Sequence, residues 1–187
     1  MLNKIKSLLA FSVVLVLFNS CAKELSLEQG TGGGPKGTYY FRFKLDGVQY
    51  DYSALTLGFR ETFAAPDGSP PVVYYTFTGK PTEDANDLTS FGISLTSENI
   101  ITTGNYAETA GGTDYILVAM LTGPDFSSPI YAAMGLHNPP ASAFVLKLTT
   151  LTDTEAGGTF SGSLYSDNGL GNDVKMVTDG EFYVKFY

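Results

Sequence analysis

The sequence predicts an all-β fold: a single antiparallel β-sandwich or barrel-like domain behind a signal peptide and a flexible tether. Three observations predict it. Apolar and polar residues alternate with period two through most of the chain after residue 38. Clusters of Gly, Pro, Asn and Asp interrupt these runs at short intervals, as turns between strands do. No amphipathic helix of useful length follows residue 20, while β-favouring Tyr, Phe, Val and Thr are frequent.

The first element is a leader. Residues 1–6 carry Lys4 and Lys6, and residues 8–18, LLAFSVVLVLF, are apolar apart from Ser12. That is the length of a signal-peptide core and falls short of the ~20 residues that span a bilayer. Phe18-Asn19-Ser20-Cys21 follows. It resembles the bacterial lipobox, with small Ser20 before the cysteine and large, apolar Phe18 three before it. The resemblance implies cleavage before Cys21, diacylglycerol on its thiol and a further chain on the new amino group. Each buried CH₂ is worth ~0.8 kcal/mol, so two or three acyl chains anchor stably where one does not. Cys21 is also the single cysteine, so no internal disulfide can form.

Residues 21–37 read as the lipidated cysteine and its tether. Gly30-Thr31-Gly32-Gly33-Gly34-Pro35 has linker composition, and a coil of ~16 residues spans about 20 Å. Gly32, Gly33 and Gly34 have neither the preceding strand nor the following helix that a phosphate loop requires. Lys23-Glu24 resembles the charged stretch of surface-exported lipoproteins of the Bacteroidota, with one acid where several are usual.

The domain is expected over 38–187, large enough to bury about 70% of its unfolded surface without a metal or disulfide staple. In 39–45, Phe41, Phe43 and Leu45 share one face, with Arg42 and Lys44 on the other. Asp46-Gly47 leads into 48–52, a hairpin signature, with Val48, Tyr50 and Tyr52 on one face. Further strands are expected at 54–60, 72–79, 90–96, 114–121, 130–135, 143–150, 158–166, 173–178 and 181–187. Thr178-Asp179-Gly180 reads as a second Asp-Gly turn. Other turns fall at Pro66-Asp67-Gly68, Gly111-Gly112, Gly123-Pro124, Asn138-Pro139-Pro140 and Asp167-Asn168-Gly169. Periodicity does not separate sandwich from barrel.

Several of these segments resemble a family of uncharacterised Bacteroidota lipoproteins of about this size with a single all-β domain. The similar stretches are Phe43-Lys44-Leu45-Asp46-Gly47, Thr103-Gly104-Asn105-Tyr106, Val145-Leu146-Lys147-Leu148-Thr149, Gly158-Thr159-Phe160-Ser161-Gly162 and Val177-Thr178-Asp179-Gly180-Glu181-Phe182. They are turns and strand ends. The resemblance therefore implies architecture and an envelope location, and no reaction.

Charge narrows the partners. After residue 20 the chain holds nine Lys and Arg against nineteen Asp and Glu, a balance of −10. Such a surface repels nucleic acid and offers no polybasic patch to anionic lipid. The membrane is expected to be met through lipid on Cys21, at the outer membrane, with the domain facing the periplasm or the cell surface.

Catalytic side chains are scarce, and no catalytic, metal or cofactor-binding residue is assigned. His137 is the one histidine and precedes Asn138-Pro139-Pro140, a loop; no nucleophile elbow accompanies it. The oxygens of Glu83-Asp84-Ala85-Asn86-Asp87 and of 167–173 suit calcium, but neither segment has EF-hand spacing, and both read as solvated turns. Tyr39-Tyr40 and Tyr74-Tyr75 are candidates for stacking on sugars. Neighbours in a strand point to opposite faces, so one of each pair is expected in the core and one outside. The expectation is a non-catalytic binding or accessory module with a glycan or an envelope protein as ligand. A structural or assembly lipoprotein using an exposed edge strand is the second reading, and a carboxylate-based hydrolase the third.

Overall fold

The computed structural model describes residues 38–64, 70–108, 114–125, 127–128, 130–136 and 142–187. Cys21, the tether and His137 lie outside them. The described residues form β1 (Tyr40–Leu45), β2 (Val48–Asp51), β3 (Leu55–Phe63), β4 (Val72–Lys80), β5 (Ser90–Ser97), β6 (Gly104–Ala107), β7 (Tyr115–Thr122), β8 (Tyr131–Ala133), β9 (Val145–Leu151), β10 (Glu155–Tyr165) and β11 (Val174–Lys185). They make one curled antiparallel sheet, a half-barrel, ordered β2-β1-β11-β10-β8-β7-β5-β4-β3.

β10 is where the sheet forks. Along one side it pairs with β11 throughout. Along the other, residues 156–161 pair with β9, which in turn pairs with β6, while Tyr165 reaches Ala132 of β8. The far edge, β3, curls back to the end of the chain: Gly58 bridges Phe186, and the Tyr187 amide donates to the Gly58 carbonyl at 3.3 Å.

Alternation decides which face fills the barrel. Phe41 and Phe43 of β1, Phe77 of β4, Phe91, Ile93 and Leu95 of β5, Leu146 and Leu148 of β9, and Phe160, Val177, Phe182 and Val184 of β10 and β11 all turn inward. The rings interlock. Phe160 has centroid distances of 5.1 Å to Phe41 and 5.2 Å to Phe91, and Phe43 lies 4.9 Å from Phe91. Each such pair adds about 0.5–1.5 kcal/mol beyond the area it buries. Among the described residues the interior is side-chain core.

The Asp46-Gly47 hairpin forms as expected, with φ of 50° and 82° at its two central residues, the signature of a primed turn. Three expectations are corrected. Thr178-Asp179-Gly180 is a bulge and not a turn: β11 runs through it, spending three steps (178 to 181) against two on β1 (44 to 42). Asp179, at φ 51°, is the residue that absorbs the distortion. The tyrosine pairs do not split between core and solvent. Tyr74 and Tyr75 are both buried, and Tyr39 and Tyr40 both lie half-buried against Tyr183. Residues 104–107 form β6, for which four residues with one large apolar side chain gave no periodic signal. Asp167-Asn168-Gly169 does turn, and does so left-handedly, with φ of 50°, 58° and 84° on the residue types that tolerate that region.

Candidate functional site

The outer face of the fork carries an open trough with charged walls, and the sequence of β10 explains it. The outward positions of that strand are Gly157, Thr159 and Ser161, all small, while β9 and β11 on either side project Lys147, Glu181 and Tyr183. A strand of small side chains between two strands of long ones leaves a channel along its length. Its open part on that strand runs from Thr159 to Ser161, two residue steps or about 7 Å, because the Tyr183 ring covers Gly157, and two strand spacings put about 10 Å between its walls. The space is about 570 Å³ and is lined by Asn105, Val145, Lys147, Thr159, Ser161, Asp179 and Glu181, with Phe160 and Gly180 beneath.

Pairing register brings these residues together. Asn105 faces Lys147, Lys147 faces Thr159, Thr159 faces Glu181, Glu181 faces Arg42, and Arg42 faces Asp51. One row of polar groups therefore crosses six strands. At its outer end the charges neutralise one another. Arg42 Nε lies 3.3 Å from Asp51 Oδ2 and its guanidinium sits over the Tyr40 ring, while Lys44 Nζ lies 2.8 Å from Asp179 Oδ2. Among the described residues, Lys147 and Glu181 form no ion pair. They face each other across the strand of hydroxyls.

An aromatic group follows one register position further along β10. Tyr183 lies over Gly157, where an added Cβ would come within 2.6 Å of its ring, so glycine makes the seat. Tyr39 stacks on it at 5.8 Å and Tyr40 at 6.3 Å. The hydroxyls of Tyr183 and Tyr39 donate to the two oxygens of Glu155 at 2.7 and 2.8 Å. These two bonds hold the Glu155 carboxyl below its ordinary range, and the bond to Glu155 pushes both tyrosine hydroxyls up. Glu155 is thus an occupied acceptor, fixing the Tyr183 ring beside the trough.

The residues singled out from sequence fall elsewhere. Asp84 Oδ1 accepts from the Asn86 amide at 2.9 Å, and Asp87 Oδ1 from the Thr89 amide at 2.9 Å, so both carboxylates cap their own turns. Asp173 accepts the Tyr131 hydroxyl at 2.6 Å at the left-handed turn. Tyr74 bonds Ser94 at 3.2 Å in the sheet. Of the four paired tyrosines, Tyr39 and Tyr40 are the two that stack on Tyr183, one register position beyond the trough.

Among the described residues, Glu108 is the buried carboxylate, at 6% exposure. Its oxygens accept from the amides of Gly135 at 2.6 Å and Phe144 at 3.1 Å, so it ties the exit from β8 and the entry to β9 to the end of β6. Neither Glu108 nor the trough had a local sequence signal. Comparison of the chain with protein-family models, curated proteins and solved structures finds no match.

Proposed function

We propose that this chain is a lipid-anchored lipoprotein of the cell envelope, held in the outer membrane through Cys21, and that it acts as a non-catalytic binding module. The observation that carries the binding reading is the contrast between its two faces. The inner face is filled by phenylalanines, whereas the outer face holds an open trough walled by Lys147 and Glu181, whose charges have no ion-pair partner among the described residues. Asp179 and Glu181 stand on the same wall, and Asp179 is taken by Lys44. Glycoside hydrolysis needs two carboxyl groups on opposite sides of the scissile bond, so these two favour holding a ligand over cleaving it.

The anchor rests on the leader and on Phe18-Asn19-Ser20-Cys21. Cells fed a tagged fatty acid are expected to label the wild-type chain, and Cys21→Ala is expected to lose the label. Retention of label by the variant would refute the anchor.

The assembly reading has one observation of its own. Beyond Gly58 the outer edge of β3 pairs with no other described strand and exposes Phe59 and Phe63. An array of glycans and envelope proteins, probed with the full chain in detergent, separates the readings. Retention of a ligand that is lost when the trough is filled by Thr159→Phe supports the module. Retention of a protein unaffected by that change selects the edge. Hydrolysis of a probe, abolished by replacing one acidic residue, would overturn both in favour of an enzyme.

A further inference from the structure

We infer that the trough along β10 takes an uncharged, hydroxyl-rich chain: a neutral oligosaccharide lying along the strand between β9 and β11. The inference rests on the binding-module reading and names the ligand class for the same site.

Three features select that chemistry. The first is charge. Within a domain of balance −10, the trough itself is close to neutral: Lys147 offsets Glu181, and Asp179 is neutralised by Lys44. A polyanion would meet Glu181 and the acidic surround, and a polycation would meet Lys147. A ligand without charge is penalised by neither wall.

The second is the arrangement of donors and acceptors. Lys147 is donor only, Glu181 is acceptor only, and Asn105, Thr159 and Ser161 are both. A ligand satisfying all of them must present an acceptor to Lys147, a donor to Glu181 and either one to the rest, and a sugar hydroxyl can serve as any of these. These groups lie on the face of the sheet and not on its edge. The backbone of β10 is already paired on both sides by β9 and β11, so an extended peptide would find no ladder to join.

The third is the aromatic group beside it. Tyr183, Tyr39 and Tyr40 are held in a stack, with two hydroxyls fixed on Glu155. A tyrosine fixed this way, its hydroxyl already donated to Glu155, offers apolar area with little rotamer entropy left to lose on binding. It would meet the C–H face of a sugar ring while the channel meets its hydroxyls.

The test uses the full chain in detergent, titrated with cellohexaose, maltohexaose, mannohexaose and xylohexaose, and separately with polygalacturonate and oligolysine. At least one neutral hexasaccharide is expected to bind. Its Kd is expected to change by less than about twofold between about 20 and about 300 mM salt, because an uncharged ligand is not screened. Thr159→Phe fills the channel at an exposed position and is expected to weaken binding by about tenfold or more, with an unchanged melting curve. If Thr159→Phe alters the melt, Glu181→Ala, also exposed, is expected to weaken the same ligand. The inference is overturned if no neutral hexasaccharide binds, if binding survives the variant that keeps its melting curve, or if only a charged polymer binds with steep salt dependence. An envelope protein that Thr159→Phe releases would overturn the sugar and leave the binding module standing.

Discussion

Phe160→Ala is expected to destabilise the domain by about 3–5 kcal/mol, the range for removing a fully enclosed aromatic ring. Phe160 is 3% exposed and lies within 6.3 Å, centroid to centroid, of Phe41, Phe43, Phe91, Phe144 and Phe182. Those neighbours come from three strands and a loop, and each is itself packed. The void therefore cannot collapse without moving several elements, and the cavity cost adds to the lost burial. At about 2–4 °C per kcal/mol for a domain of this size, the melting temperature should fall by on the order of 10 °C. Urea denaturation with unchanged m-value is the measurement. A loss under about 1 kcal/mol would mean that the ring is not the hub of the barrel.

Gly162→Ala is expected to cost about 2–6 kcal/mol, the sum of backbone strain and overpacking. Gly162 has φ of +142°, a conformation L-residues rarely adopt, and an added Cβ would stand 2.7 Å from the Ala143 carbonyl oxygen and 2.8 Å from the Phe144 amide nitrogen. Both obstacles are backbone, so no rotamer relieves them. The displaced segment contains the Phe144 amide that Glu108 accepts and the Ser142 carbonyl that takes the Ser163 amide at 3.0 Å. Faster hydrogen exchange at Phe144 and Ser163 should accompany the lower melting temperature. Gly104→Ala is the control: nothing lies within 4 Å of its added Cβ, and its effect should stay within about 0.5 kcal/mol.

Strands were legible wherever a face is buried along a run of alternating residues. Phe41 and Phe43 turn inward and Arg42 and Lys44 outward, as alternation requires, and 72–79 and 90–96 match β4 and β5 to within a residue. β6 was not legible because it is short and its pairing with β9 lies about forty residues away in sequence. Thr178-Asp179-Gly180 misled because Asp-Gly supplies positive φ equally to a hairpin and to a bulge. Only the presence of β1 and β10 on either side of β11 decides between them. Tyr39 and Tyr40 misled because Tyr39 precedes the strand and is free to lie on the same side as its neighbour.

The trough was not legible for a related reason. Gly157, Thr159 and Ser161 look ordinary in a strand, and Lys147, Glu181 and Asn105 look like solvated positions. They become walls and floor through the register of four strands drawn from residues 104 to 185. Nothing within any one segment announces that alignment.

The place of β1 in the sheet has a consequence for how the chain folds in time. β1 lies between β2, its immediate successor, and β11, the last strand, with Tyr40 opposite Tyr183. A chain that emerges N-terminus first can close the β1–β2 hairpin early, yet Phe41 and Phe43 then wait for a partner until the final segment arrives. Closing so long a loop costs entropy before any contact repays it, and sheets dominated by such pairings fold in milliseconds to seconds. Throughout that wait β1 and β10 each present an open edge beside exposed rings, the state in which β-rich chains are most prone to stick to one another. The twelve residues of β11, the last strand to be made, therefore set the moment at which the domain becomes safe from aggregation.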